Sequence, residues 1–330
     1  MVCYQSSIYI KEGYMKILVA DIGGTNIRFA IVNNGKMGTV TKYKNNLFQD
    51  PKEAFDLYLS TLSEAPTHMI LGVAGPISNG CVTLTNRNWT FKEKEYEKKY
   101  NLAQCQLVND FVLKGYGILT LAKKDFIALD DNQIIKNEPK CVIGPGTGLG
   151  ICFLTYHNGK WIPHSSEGGH TDIAPSNTTE QKIIKYLCPK GNNISAEELL
   201  SGRGLVSLYN AVCALKHHTP IVSTPEGVLE LAQENNKAAL ETYKHFFNFL
   251  GTFAGNMAIT MKCSGGTYIV SSIFRHEKIE KMFLKSSFKN AFGNRGKMQN
   301  LANSLPVFYI THSKLAFLGL KKLAQDIEKS

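Results

Sequence analysis

Asp21-Ile22-Gly23-Gly24-Thr25-Asn26 puts an acidic residue at the end of an apolar run, directly before two glycines. Backbone of this kind can approach a polyanion, because glycine tolerates positive φ and has no Cβ to block phosphate oxygens. Thr25 and Asn26 can add donors, and Asp21 is placed to orient a hydrated Mg2+. A second run, Gly144-Pro145-Gly146-Thr147-Gly148-Leu149-Gly150, has the same character. One Gly-Gly-Thr would read as a plain hairpin turn; two in equivalent contexts say more. Neither is a Walker loop, since no Gly-Lys-Ser/Thr follows. Neither fits the dinucleotide fingerprint, because a strand rather than a helix comes next.

Three further segments carry carboxylates. Asn109-Asp110 ends the apolar run QLVND and opens a helix. Local sequence alone favours a helix N-cap, a common use of Asp. The functional reading needs the carboxylate between two lobes, where it could take a proton from an attacking hydroxyl. In Glu167-Gly168-Gly169-His170 two ligating side chains flank two glycines, so backbone can fold tightly around a small polar ligand. A metal site there lacks further ligands at suitable spacing. Glu197 falls in the first turn of a helix, where a negative charge is favourable for its own sake. Ser195 with Glu198 makes a capping box, which leaves Glu197 for another task.

The elements that must hold these residues show an internal repeat. Residues 16–36 read KILVADIGGTNIRFAIVNNGK and residues 140–160 read KCVIGPGTGLGICFLTYHNGK. Each is an apolar strand, a Gly/Thr turn, a second apolar strand and Asn-Gly, the preferred two-residue hairpin turn. The repeat implies a duplication and two lobes, each opening with a hairpin whose glycine turn faces the other across a ligand cleft. Elsewhere the pattern predicts helices over 50–63, 111–122, 178–188, 195–216, 224–233, 236–262 and 313–329. It predicts strands over 68–76, 106–110, 267–273 and 306–310, and a hairpin over 81–91. Strands alternating with helices indicate an α/β protein.

Composition excludes several classes. No apolar run approaches the ~20 residues that span a bilayer. The first 16 residues lack the basic start and apolar centre of a secretion signal, and Met15 is a second candidate start. None of the eight cysteines forms a C-x-x-C pair, so buried reduced thiols are expected rather than a zinc cage. The net charge of +10 raises nucleic acid as a partner. The lysines are scattered, however, and the densest run, residues 91–100, alternates with glutamates as a solvated helix face does. A mild positive field suits an anionic small molecule instead.

The ordered set DIGGTN (21–26), GVAGP (72–76), LTNRNW (84–89), VNDF (108–111), GPGTGLG (144–150), EGGH (167–170) and ISAEELLSGRGLVSLY (194–209) resembles the bacterial-type glucokinase family. That family lies within the sugar kinase, actin and heat-shock ATPase superfamily, and the match runs over nearly the whole chain after residue 15. The resemblance implies a two-lobed actin-like ATPase (ribonuclease H-like) α/β fold with an interdomain active-site cleft. It implies a small domain of 1–120 plus 312–330, with the C-terminal helix returning to it, and a large domain of 121–311. Glucose and Mg-ATP are the implied substrates and the glucose C6 hydroxyl the acceptor, with glycolysis as the setting. Asp110 matches the catalytic base; Asn109, Asp110, Glu167, His170 and Glu197 match the sugar-binding residues. Ala20, Asp21, Ile22, Gly23, Gly24, Thr25 and Asn26 match the first phosphate segment, and Gly146, Thr147 and Gly148 the second. A homodimer in the cytosol, without zinc, membrane or nucleic acid, is also implied.

Two departures stand out. Ser271-Ser272 replace the glycine pair usual after the adenosine-supporting strand, so side chains are expected where the base approaches, weakening nucleotide binding; Gly265-Gly266 just upstream offers some room. Pro145 stands where a small residue is usual and stiffens the second turn. Other readings are a kinase for mannose or N-acetylglucosamine, a catalytically weak sugar-sensing protein of the same fold, and a structural ATPase. The retained Asp110, the lack of a helix-turn-helix segment before Lys16 and the EGGH-plus-Glu197 set argue against the last two. The C-terminal EKS is not a peroxisomal tripeptide.

Overall fold

The computed structural model describes residues 15–84 and 87–329. The N-terminal stretch with Cys3, the Thr85-Asn86 part of the 84–89 motif and the final Ser330 lie outside the described residues. The chain divides into two compact units, Met1–Thr120 with Lys314–Ser330, and Leu121–Ser313.

The first unit opens with β1 (Lys16–Ile22), β2 (Asn26–Asn33), β3 (Lys36–Met37) and β4 (Thr41–Lys44). It continues with α1 (Pro51–Leu59), β5 (His68–Val73), β6 (Cys81–Thr83), β7 (Thr90–Lys92), α2 (Glu93–Tyr100), β8 (Gln104–Asn109) and α3 (Asp110–Ile118). The sheet order is β3-β2-β1-β5-β8, with β4 also on β2. β1, β2 and β3 form an antiparallel meander, and β5 and β8 run parallel to β1. Asn34 and Gly35 both have positive φ (48° and 69°), as a type I′ hairpin turn requires. β1 is buried on both faces. Leu18, Ala20 and Ile22 join a core with Phe29, Phe55 and Tyr96, while Ile17 and Val19 join another with Leu113, Phe317 and Leu320. On α2 the expected solvated face carries ion pairs such as Lys52–Glu95 (3.1 Å), and Tyr96 is its one fully buried side chain.

The C-terminal helix, Leu315–Ile327, packs along α3. Glycines at the crossing let the backbones meet: a Cβ at Gly319 would strike the Leu113 carbonyl, and one at Gly117 the Leu315 carbonyl. Gly35 N donates to Glu328 Oε2 (2.6 Å) and Gln325 Nε2 to the Gly35 carbonyl (2.9 Å), tying this helix to the β2–β3 turn. α3 stops at Ile118, short of the expected residue 122, where the Thr120 hydroxyl donates back to the Gly117 carbonyl (2.9 Å).

The second unit holds β9 (Phe126–Ala128), β10 (Lys140–Pro145), β11 (Leu149–His157), β12 (Lys160–Ser166), α4 (Thr178–Leu187), α5 (Ala196–Leu199) and α6 (Gly202–Leu215). After these come α7 (Pro225–Gln233), α8 (Lys237–Thr260), β13 (Thr267–Ile269), α9 (Glu277–Leu284), α10 (Phe288–Gly293), α11 (Gln299–Ser304) and β14 (Val307–Ile310). Its sheet order is β12-β11-β10-β13-β14-β9. The first five strands repeat the pattern of the first unit: an antiparallel meander, then two parallel strands. Asn158 and Gly159 again have positive φ (48° and 80°). The internal repeat in the sequence is therefore a repeat of topology.

Two expected elements are corrected. The single helix over 195–216 is broken, because Ser201 leaves the helix and its hydroxyl oxygen accepts from Gly204 N (3.0 Å), capping α6 as a fresh start. The strand over 267–273 ends at Ile269, so Ser271 and Ser272 lie in the segment beyond it. Cys105, Cys141, Cys152, Cys213 and Cys263 are buried free thiols, and burial pushes those of Cys105 and Cys152 up to about 12. No described helix is long and apolar enough to cross a membrane.

Candidate active site

In the first unit β1 delivers Asp21 to the end of the sheet, opposite Arg28 on β2. The Arg28 guanidinium donates to Asp21 Oδ2 at 2.9 Å. Burial pushes the Asp21 carboxyl above its ordinary range, while Arg28 and then Lys114 pull it down. With Oδ2 engaged by Arg28, Asp21 would reach a hydrated cation chiefly through Oδ1, and any Mg2+ here would take most of its ligands from phosphate and water. Among the described residues no three His, Cys, Asp or Glu side chains gather as a metal cluster.

The turn after Asp21 is braced from beneath by Asn45. Its N–H donates to the Thr25 carbonyl (2.9 Å) and its Nδ2 to the Gly23 carbonyl (2.8 Å). Asn45 is wholly buried, and its own carbonyl accepts from Arg87 (3.1 Å), which stacks on Trp89. Gly23 and Gly24 do not adopt the positive φ that glycine permits, and neither do Gly146 and Gly148. What these glycines supply is a backbone without side chains. Gly24 and Thr25 are exposed, and the side chains of Thr25 and Asn26 have no partner among the described residues. Ala20 and Ile22 are core residues, so they can meet a ligand only through backbone.

Asn109, not Asp110, caps α3. Its Oδ1 accepts from Phe111 N (2.8 Å) and Val112 N (3.3 Å), and its Nδ2 donates to the Gly75 carbonyl (3.3 Å). This corrects the cap reading of Asp110. It also restricts Asn109 as a ligand, since one amide hydrogen is all that its side chain has left. Asp110 is the first residue of α3, its carboxylate free of capping. Oδ2 accepts from Lys114 Nζ at 2.8 Å, and Oδ1 has no partner among the described residues.

In the second unit the glycine turn is the hub. Gly146 N donates to the Gly148 carbonyl (2.8 Å), and Gly202 N, opening α6, donates to the Gly146 carbonyl (2.8 Å). Glu197 Oε2 accepts from Leu149 N at 2.9 Å, and its Oε1 lies 3.6 Å from Arg203. Glu198 Oε2 accepts from Ser195 N (2.8 Å), the expected capping-box leg that leaves Glu197 for this work. The Glu167–His170 turn packs on the same spot, for a Cβ at Gly169 would strike the Leu149 carbonyl. His170 Nε2 lies 3.9 Å from Glu167 Oε2, and both side chains are mostly exposed, at 60% and 67%. Leu149 thus gathers Glu167, His170 and Glu197 around the exposed Thr147 turn.

Ser271 does not project its side chain from its segment as expected of the Ser271-Ser272 pair. Its side chain turns inward and is buried: Oγ donates to the Pro145 carbonyl (2.9 Å) and accepts from Ile273 N (3.1 Å). Only Ser272 is exposed, with its Oγ near Gly146. Sequence reasoning missed Arg28, Asn45 and Lys114; the Asp110–Lys114 spacing of four on a helix was the one visible signal among them. A cavity of 780 Å3 lined by Lys244, Phe247, His276, Lys278 and Lys285 contains none of these residues.

Each unit, then, carries a meander with a glycine turn followed by parallel strands, and polar side chains suited to hydroxyls stand beside the turns. Fold and residues together define a sugar kinase with the actin-like ATPase (ribonuclease H-like) α/β fold. The family model described as Glucokinase matches residues 18–327. The chain is 33% identical over 309 residues to the glucokinase of Nitrobacter hamburgensis, covering 93% of this chain and 96% of that one. Among solved structures it superposes on a glucokinase from an Antarctic psychrotroph with a TM-score of 0.84 at 28% identity, covering 95% of this chain and 100% of the other. The glucokinase of Balamuthia mandrillaris, solved with glucose, shares the fold with a TM-score of 0.78 at 21% identity, over 96% and 95% of the two chains. The chain belongs to the glucokinase family.

Proposed function

We propose that the protein transfers the γ-phosphoryl group of ATP to the C6 hydroxyl of glucose, giving glucose 6-phosphate and ADP, with Asp110 as the base. The observation that carries the reading is the state of Asp110: its neighbour does the capping, and one carboxylate oxygen stays open. In this reading Oδ1 accepts a hydrogen bond from the C6 hydroxyl. As the O6–phosphorus bond forms and the bond from phosphorus to the ADP oxygen breaks, the hydroxyl proton passes to Oδ1.

A hexose offers a ring of hydroxyls that both donate and accept. Glu167, His170 and Glu197 Oε1 join Asp110 and the remaining amide hydrogen of Asn109 as its partners. A wrong epimer leaves one of these groups unpaired, which is how such a site discriminates. The nucleotide phosphates meet the backbone of residues 20–26 and of Gly146, Thr147 and Gly148, with the Thr25, Asn26 and Thr147 side chains as added donors. Bound Mg2+, with Asp21 reaching it through water, would offset charge on the phosphates. The reading takes glycolysis as the setting, the cytosol as the location and a homodimer as the assembly; light scattering at twice the chain mass checks the last.

The test is a coupled assay over a panel of glucose, mannose and N-acetylglucosamine, with ATP, ADP and pyrophosphate as donors. The expected result is turnover of glucose with ATP at the highest kcat/KM. A higher kcat/KM for another hexose, or no turnover with ATP, overturns it.

A further inference from the structure

We propose that Lys114 is a positioning residue that aims the carboxylate of Asp110; the proposal rests on the reading of Asp110 as the base. The two residues lie one helical turn apart on α3, and the Lys114 ammonium donates to Asp110 Oδ2 at 2.8 Å. An exposed pair with this spacing fluctuates and adds little. This pair differs in two respects. Both side chains are largely covered, at 22% and 27% exposure. The ammonium also sits 3.6 Å from the centroid of the Phe111 ring, itself buried, so it is held from a second side.

Asp110 has little else to hold it. The cap position belongs to Asn109, and among the described residues the Asp110 carboxylate has one hydrogen-bond and ion-pair partner, Lys114, with the like charge of Asp21 close enough to be felt. A carboxylate on two rotatable bonds at the start of a helix would otherwise move among rotamers. With Oδ2 fixed, Oδ1 points in one direction. A nearby cation makes any carboxylate a weaker base, so greater basicity is not what this pair supplies. Aim is what it supplies, and aim matters most where the transition state is loose and the base chiefly orients the nucleophile.

The experiment uses the full chain as K114M, K114R and K114Q, together with D110N and the double variant D110N/K114M. For K114M, kcat is expected to fall about tenfold while KM for glucose and for ATP stays within about twofold. K114R, which can still hold Oδ2, should recover to within about threefold of the parent. K114Q keeps a donor without charge and should fall between the two, which covers the case of a K114M that does not fold. In the D110N background K114M should cause a much smaller loss than in the parent, because most of its effect passes through Asp110 and what remains is its weaker field at Asp21. Unchanged kcat in K114M overturns the proposal. So does an equal loss with and without Asp110, or a K114R as slow as K114M. Near-normal turnover in D110N alone marks the failure of the base assignment instead.

Discussion

Replacing Ser271 by alanine removes one oxygen that does two jobs. Its Oγ donates to the buried Pro145 carbonyl and accepts from Ile273 N, so the change leaves one acceptor and one donor without partners. Two net hydrogen bonds at about 1–1.5 kcal/mol each give a loss of about 2–3 kcal/mol. For a unit the size of Leu121–Ser313 that is a fall in Tm of roughly 5–10 °C. The function should suffer at one substrate only. Ser271 fastens the turn that carries Gly146, Thr147 and Gly148, so KM for ATP should rise several-fold while KM for glucose changes little. Thermal unfolding and steady-state kinetics on one preparation supply both readings. A Tm within a degree of the parent and an unchanged KM for ATP would show that Ser271 fastens nothing.

Two further outcomes follow from the same geometry. Gly148→Ala places a Cβ 2.5 Å from Glu197 Oε2, so the carboxylate must leave the Leu149 N–H; KM should rise for glucose and ATP together, about tenfold or more, and a rise for ATP alone contradicts the shared brace. Lys140 donates to the Gly265 carbonyl at 2.8 Å, and burial lowers it to about 8 from an ordinary 10.5. Between those values the unfolded chain holds a proton that the folded chain has shed, so this group makes stability rise with pH across that window. Below about pH 8 the ammonium is charged in both states and the folded state bears its desolvation. Urea midpoints at pH 7.5, 9 and 10 should show this rising contribution in the parent and lose it in Lys140→Met; equal slopes refute it.

Much of this architecture was legible because its signals are local. The paired Asn-Gly turns marked both meanders, since only a few residues accept positive φ at two successive positions. The helices expected over 50–63, 224–233 and 236–262 begin at residues whose side chains accept from the backbone of their first turns, Asp50, Thr224 and Asn236. What was not legible depends on register or on distant partners. Asn109 and Asp110 are both good caps, and a shift of one residue decides which side chain is free. Ser201 lies inside an apolar periodicity that reads as one helix, and only its bond to Gly204 N shows the break. Ser271 looked like an obstacle because nothing local says that its hydroxyl turns toward Pro145, 126 positions earlier. Asn45 follows an unremarkable strand, and its brace under the first turn is a contact across 22 positions.

The measurement that tests the central claim most directly is turnover and glucose binding by Asp110→Asn. The exchange keeps the size of the side chain and removes its ability to take a proton. The account predicts a fall in kcat of about 10²–10⁴-fold with glucose affinity, read by calorimetry, largely retained. Near-normal turnover would contradict it, because a carboxylate that can be neutralised without loss is not the base.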